Sequence, residues 1–184
     1  GAPIQVGFIG RVAENKGVFR LVEAFRQLQR EDMTLDIAGT GSAADMDRLR
    51  AMSEGDDRIH YLGKTPPQDF YPRMDLMMVP STWEEPLSRV VSESLINGIP
   101  VFACDLGGQP EMVRHGVDGL VFPPTVDNIH ASLATLTPER LSDLTLNARA
   151  RSADMLADAS ICRYLELFKD LLEKRSGLTP MDDE

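Results

Sequence analysis

Four side chains in this sequence have the types and spacing to handle a charged, hydroxyl-rich ligand: Arg11, Lys16, Glu85 and Glu93. Arg11 and Lys16 share the turn that follows the apolar run Ile4-Gln5-Val6-Gly7-Phe8-Ile9. Two cations on one loop can clamp a diphosphate and stabilise it as a leaving group. Glu85 and Glu93 follow a second apolar run, Leu76-Met77-Met78-Val79, which reads as a buried strand stopped by Pro80. Pro86 suits the first turn of a helix, where its missing N–H costs nothing. Leu87, Val90, Val91, Ser94 and Leu95 then recur at helical spacing as an inward stripe. That reading sets Glu85 at the helix mouth and Glu93 about two turns in, roughly 10 Å along the axis at ~1.5 Å per residue. A helix mouth attracts anions through its free N–H groups and its dipole. A phosphate there, with a carboxylate on either side to accept hydroxyl hydrogen bonds, fits a nucleotide-sugar.

Each of these residues also has a plain structural alternative. Glu85 can cap the helix and complement its dipole. Glu93 can pair with Arg89, four residues back, as surface residues commonly do. Arg11 and Lys16 can be two solvated charges.

The elements that must position these groups follow from periodicity. Apolar runs at residues 4–9, 35–38, 59–62, 76–79, 101–104 and 120–122 read as six strands. Between them lie helical patterns: Val18, Leu21, Val22, Phe25 and Leu28 on one face, then Met46, Leu49 and Met52 behind a Ser42 cap, and a short helix reaching about Met74. Strand alternating with helix argues a parallel, doubly wound α/β sheet of six strands with extra C-terminal helices. The last helix carries Ile161, Tyr164, Leu165, Phe168, Leu171 and Leu172 at helical spacing. The chain reads as one domain, with a core over residues 4–124, a helical part over 125–175 and a frayed tail over 176–184. Open parallel sheets bind ligands beyond the carboxyl ends of their strands. Those ends carry residues 10–17, 39–42, 63–65, 81–88 and 105–109.

Composition removes several function classes. The net charge of −10 argues against a nucleic-acid binder that works by broad phosphate neutralisation. The two cysteines, Cys104 and Cys162, lack metal spacing, and Cys104 reads as a buried, inert thiol. No His/Cys/Asp cluster has the spacing of a metal site, so no metal is expected. No apolar run approaches the ~18 residues of a membrane span. With no initiator Met and no signal peptide, the chain is expected to be a cytoplasmic domain of a longer protein. The first turn matches neither the dinucleotide fingerprint nor a P-loop, and no strained elbow makes Ser88 a nucleophile. His60, His115 and His130 have no partner carboxylate that the sequence identifies, and read as structural.

Several short motifs in order resemble the C-terminal, donor-binding half of the retaining glycosyltransferases of the GT-B fold, glycosyltransferase group 1 or family 4. They are Gly10-Arg11 with Lys16-Gly17, Glu85-Pro86-Leu87-Ser88 ending at Glu93, Gly98-Ile99-Pro100-Val101, Gly107-Gly108-Gln109-Pro110-Glu111, and the run from Gly119 to Pro124. The similarity covers residues 4–124. It implies a Rossmann-like half of a GT-B enzyme, with Arg11 and Lys16 on the donor diphosphate and Glu85 on the hydroxyls of the transferred sugar. Glu93 would hold the ribose, and the backbone at Gly10 and from Leu87 through Ser88 to Arg89 would approach the phosphates. Lys64 and Thr65 would lie against the base, while Gly107, Gly108 and Glu111 would be architectural. The implied partner is a nucleotide-diphosphate sugar of the UDP or GDP type, with no cofactor and no metal, the acceptor being held by an N-terminal half outside this sequence. Where the family has Phe-Gly, this chain has Leu87-Ser88, so backbone approach to the phosphate beside Ser88 is less close. A nucleotide-sugar epimerase or hydrolase of the same architecture, or a non-catalytic nucleotide-sugar-binding module, remain the alternatives.

Overall fold

The computed structural model describes residues 2–152 and 165–169. Each strand forms where an apolar run meets a breaker. The first two strands are β1 (Ile4–Ile9) and β2 (Met33–Ala38), joined by helix α1 (Val18–Arg26). Helix α2 (Ala43–Ser53) is started by Ser42, whose hydroxyl accepts the Asp45 N–H at 3.1 Å, and leads to β3 (Ile59–Gly63). Helix α3 (Pro67–Phe70) and a 3₁₀ turn at Tyr71–Arg73 precede β4 (Leu76–Val79). Helix α4 (Arg89–Ile96), β5 (Val101–Cys104), α5 (Gln109–Met112), β6 (Gly119–Phe122), α6 (Val126–Ala134) and α7 (Pro138–Ser152) complete the order.

All six strands are parallel, in the order β3-β2-β1-β4-β5-β6. Both faces of such a sheet must be covered, and successive strand side chains point to opposite faces. In β4, Leu76 and Met78 therefore pack on one side with Phe8, Phe25 and Phe102, while Met77 and Val79 pack on the other with Phe70, Val91 and Leu95. Helices α1, α2 and α6 cover the first face, and α3, α4 and α5 the second. Helix α7 gives Leu144 to one layer and Ala148 to the other.

The strand order carries the functional consequence. From β1 the chain winds outward to β3, then crosses back to β4 and winds outward the other way to β6. The loops after β1 and β4 therefore diverge to opposite faces and leave a crevice at the switch point.

The doubly wound six-stranded sheet is as expected, and one helix boundary is not. Helix α4 starts at Arg89, with Ser88 at its N-cap, and not at Pro86. Residues 81–88 form a bent loop in which Leu87, expected on the inward stripe, is 68% exposed. Pro86 is packed against the loop after β5 instead: a side chain at Gly108 would collide with the Pro86 carbonyl. Glu93 is consequently one turn into the helix, about 6 Å at ~1.5 Å per residue, rather than two.

Of the stripe expected on the last helix, residues 165–169 are described and helical, with Leu165 and Phe168 more than half exposed. Ile161, Tyr164, Leu171, Leu172, Cys162 and the acidic tail lie outside the described residues. Among the described residues, no helix is long and apolar enough to cross a membrane.

Candidate functional site

Two adjoining recesses open at the carboxyl ends of the central strands. The inner one, about 50 Å³, is lined by Gly10, Lys16, Ser81, Glu85, Ser88 and Val90, among others. The outer one, about 340 Å³, is lined by Gly10, Arg11, Gly39, Thr40, Lys64 and Thr65, with Ile9 and Pro67. Ile9 and Gly10 belong to both. The fold thus gathers Gly10, Arg11, Lys16, Lys64, Thr65, Glu85 and Ser88 from the three segments that follow β1, β3 and β4. Glu93, Leu87 and Arg89 line neither recess.

Lys16 ends a 3₁₀ turn, Glu14–Lys16, and its ammonium donates to the Glu85 carboxylate, forming an ion pair between the β1 and β4 loops. The Ser81 hydroxyl lies 3.4 Å from the same carboxylate and 3.1 Å from the Asn15 carbonyl. The backbone around this pair is fixed. The Thr82 N–H donates to Asn15 O at 2.9 Å, and the Gly108 N–H donates to Glu85 O at 2.8 Å. Gly17 has φ 72°, and a side chain there would collide with the Pro80 carbonyl; only glycine allows the β1 and β4 loops to come this close. Gly107, with φ 59°, likewise lets the β5 loop sit against the backbone of Glu85. These glycines are the buttress of the Glu85 loop, in keeping with the architectural role expected of Gly107 and Gly108.

Glu85 is not a helix cap, because it stands four residues before the first helical residue. Ser88 occupies the N-cap but makes no side-chain cap bond, and the first turn of α4 contains no acidic residue. The first N–H groups of α4 are therefore left for another acceptor. Arg11 is exposed and, among the described residues, forms no ion pair.

Glu93 is held by a residue the sequence did not single out. Tyr71, only 2% exposed, donates its phenolic proton to Glu93 Oε2 at 2.8 Å. Burial, with the carboxylate as acceptor, pushes the Tyr71 phenol well above its ordinary pKa. The expected Arg89–Glu93 pair is present only at 3.9 Å, and the Arg89 side chain is 88% exposed, so it contributes little. Tyr71 is 22 residues from Glu93, and no local spacing signals such a contact.

His60 departs from its reading as a histidine without a partner carboxylate. It faces Asp36 directly across the β2–β3 ladder, with Nδ1 2.8 Å from Oδ1. Asp36 is 1% exposed and also meets Arg73 at 3.4 Å, so this cluster serves to satisfy a buried carboxylate. His115 accepts the Val121 N–H at 3.0 Å and closes the turn before β6. Cys104 is buried, and desolvation pushes its thiol up to about 12, as befits an inert core thiol. Among the described residues, no three His, Cys, Asp or Glu side chains group so as to hold a metal ion.

Residues 3–137 match the family model described as glycosyl transferases group 1. The lipopolysaccharide 1,2-N-acetylglucosaminetransferase of Salmonella typhimurium is 34% identical over 137 residues, covering 66% of this chain and 36% of that protein. An exopolysaccharide phosphotransferase of Streptomyces coelicolor is 27% identical over 173 residues, covering 90% of this chain and 18% of its own length. Among solved structures, the Anabaena protein HepE in complex with UDP superposes with a TM-score of 0.75 at 25% identity, over 96% of this chain and 49% of that one. The chain thus spans 18% and 36% of the length of these two curated relatives and about half of that structure.

Proposed function

The chain belongs to the group 1 glycosyltransferases, and on that basis we propose that it is the donor-binding part of a retaining glycosyltransferase that takes a nucleotide-diphosphate sugar. The observation that carries this reading is the meeting of Lys16, Glu85, Ser88 and Gly10 around one recess at the β1/β4 switch point. HepE, whose fold this chain shares, is solved with UDP, which favours a uridine donor as the first to test.

In this reading the diphosphate lies across Gly10, between Lys16 and Arg11, with its oxygens toward the uncapped N–H groups of α4. The base occupies the outer recess beside Lys64 and Thr65. Glu93, steadied by Tyr71, accepts from the ribose hydroxyls, and Glu85 accepts from those of the sugar. In the transfer, the bond from the anomeric carbon to the phosphate oxygen breaks. A bond to an acceptor hydroxyl oxygen forms on the same face, and the hydroxyl proton passes to the departing phosphate oxygen. Charge then accumulates on the departing diphosphate, where Arg11 and Lys16 stabilise it without a metal ion. The acceptor is held by a further part of a longer, cytoplasmic protein, so this chain alone binds donor without completing transfer.

The deciding experiment is calorimetric titration with UDP, GDP and ADP and their sugar conjugates, in chelator. One nucleotide is expected to bind, and Lys16→Ala to weaken it by about 1–3 kcal/mol, the worth of a charged hydrogen bond. Failure of all three to bind, or an unchanged affinity in Lys16→Ala, would remove the assignment.

A further inference from the structure

The Lys16–Glu85 pair joins the two residues that the proposed reaction uses for different parts of the donor. We propose that this pair is a specificity determinant: it makes the site favour a loaded nucleotide-sugar over the spent nucleoside diphosphate. The inference rests on the donor-site reading above.

Neither charge is free in water. The Lys16 side chain is 34% exposed and that of Glu85 18%, so each loses hydration and needs a partner. Separating such a pair without replacing both partners leaves an uncompensated, partly buried charge. Ser81 cannot replace Lys16, because its hydroxyl has a single proton and stands nearer to the Asn15 carbonyl, at 3.1 Å, than to Glu85, at 3.4 Å.

A loaded donor replaces both partners at once. Its diphosphate takes the ammonium of Lys16, and the sugar hydroxyls donate to the Glu85 carboxylate. The spent nucleotide replaces only one. It competes with Glu85 for the compact ammonium of Lys16 and, where it succeeds, leaves the carboxylate without a donor beside an added negative charge.

The geometry allows the pair to re-form at once after transfer. The backbones on both sides are anchored, at Thr82 to Asn15 and at Glu85 to Gly108, and Gly17 lies against Pro80. Only side-chain rotation is needed for Glu85 to recapture Lys16. Loss of the sugar thereby weakens the hold on the product that remains.

The test is a set of dissociation constants for UDP, GDP and ADP and for UDP-glucose, GDP-mannose and ADP-glucose, with the full chain and with E85Q, K16A and the double variant. E85Q keeps the shape of the glutamate and removes its charge. It is expected to bind the recognised nucleoside diphosphate about three- to tenfold more tightly than the parent. Its preference for the sugar conjugate over the free nucleotide should fall by at least as much. In the K16A background the Glu85→Gln gain should vanish, since there is no ammonium left to release. Equal or weaker nucleotide binding in E85Q overturns the inference while leaving the donor reading intact. A gain that persists without Lys16 also overturns it, because it would show general repulsion by the carboxylate. Absence of binding to the parent by any of the six overturns both.

Discussion

Tyr71 shows how much of a candidate binding residue's geometry is set by a buried neighbour far away in sequence. A carboxylate on an exposed helix turn samples several rotamers, and the buried phenol of Tyr71 fixes one oxygen of Glu93 and leaves Oε1 available. Tyr71→Phe removes one hydroxyl and little volume. It is expected to weaken binding of the recognised ribonucleotide about fivefold, the loss of one charged hydrogen bond's ordering effect, and to narrow its preference over the matching deoxyribonucleotide. Comparing the two affinities in parent and variant checks this; an unchanged ratio means that Tyr71 acts on stability alone. The residues with chemistry of their own were legible, since charged groups after strand ends are conspicuous. Their partners were not. Lys16 and Glu85 are 69 residues apart, and Asp36 and His60 meet only because the β2–β3 register sets them opposite each other. Cys104, whose thiol is both buried and pushed up to about 12, is predicted to resist alkylation in the native state and to react at the rate of unfolding. Measuring modification against denaturant concentration tests that directly.

At the scale of elements, the strands were readable because the apolar runs end at breakers and the central ones, β4 and β5, are buried on both faces, while β3 at the sheet edge buries only Ile59 fully. The start of α4 was not readable. Pro86 has the local preference of a first-turn residue, yet tertiary contact with Gly108 holds it in a loop, and the helix waits for Arg89. Gly108→Ala tests that buttress. The new methyl group would meet the Pro86 carbonyl and displace the backbone that carries Glu85, so donor affinity should fall tenfold or more, a loss of about 1.4 kcal/mol or greater. The loss should exceed what the accompanying fall in Tm explains, as read by calorimetry and thermal melting of one preparation. A second element-scale clamp lies far from the site. Arg58 donates to the carbonyls of Leu28 at 3.0 Å and Arg30 at 2.6 Å and to Asp56 at 2.7 Å, tying the entry of β3 to the end of α1. Its hydrogen bond holds the Asp56 carboxyl below the usual range in the folded state, with burial opposing. A depressed folded pKa means stability that is present above the unfolded value of about 3.9 and lost as pH falls through the folded one. Asp56→Asn should therefore lower stability by about 1–2 kcal/mol at neutral pH. The difference from the parent should shrink below about pH 4, in urea melts across that range.

For the molecule as a whole, alternation of strand and helix was enough to establish a doubly wound sheet, but not which strands are neighbours. Periodicity reports which face of a segment is buried and says nothing of who lies beside it. The order β3-β2-β1-β4-β5-β6, which creates the crevice, is a property of chain crossings. The same order has a consequence for how a site of this kind can diversify. The outer recess is built on the loops after β1, β2 and β3, the inner one on those after β1 and β4, and they share little more than Ile9 and Gly10. Substitutions at Lys64, Thr65 or Thr40 change what fits the first without moving Glu85, and changes around Ser81 and Ser88 leave the first in place. On the donor reading proposed above, the two halves of one ligand would be read by two surfaces that can mutate separately, so that a lineage could exchange its sugar while keeping its base, or the reverse, by changes confined to one recess.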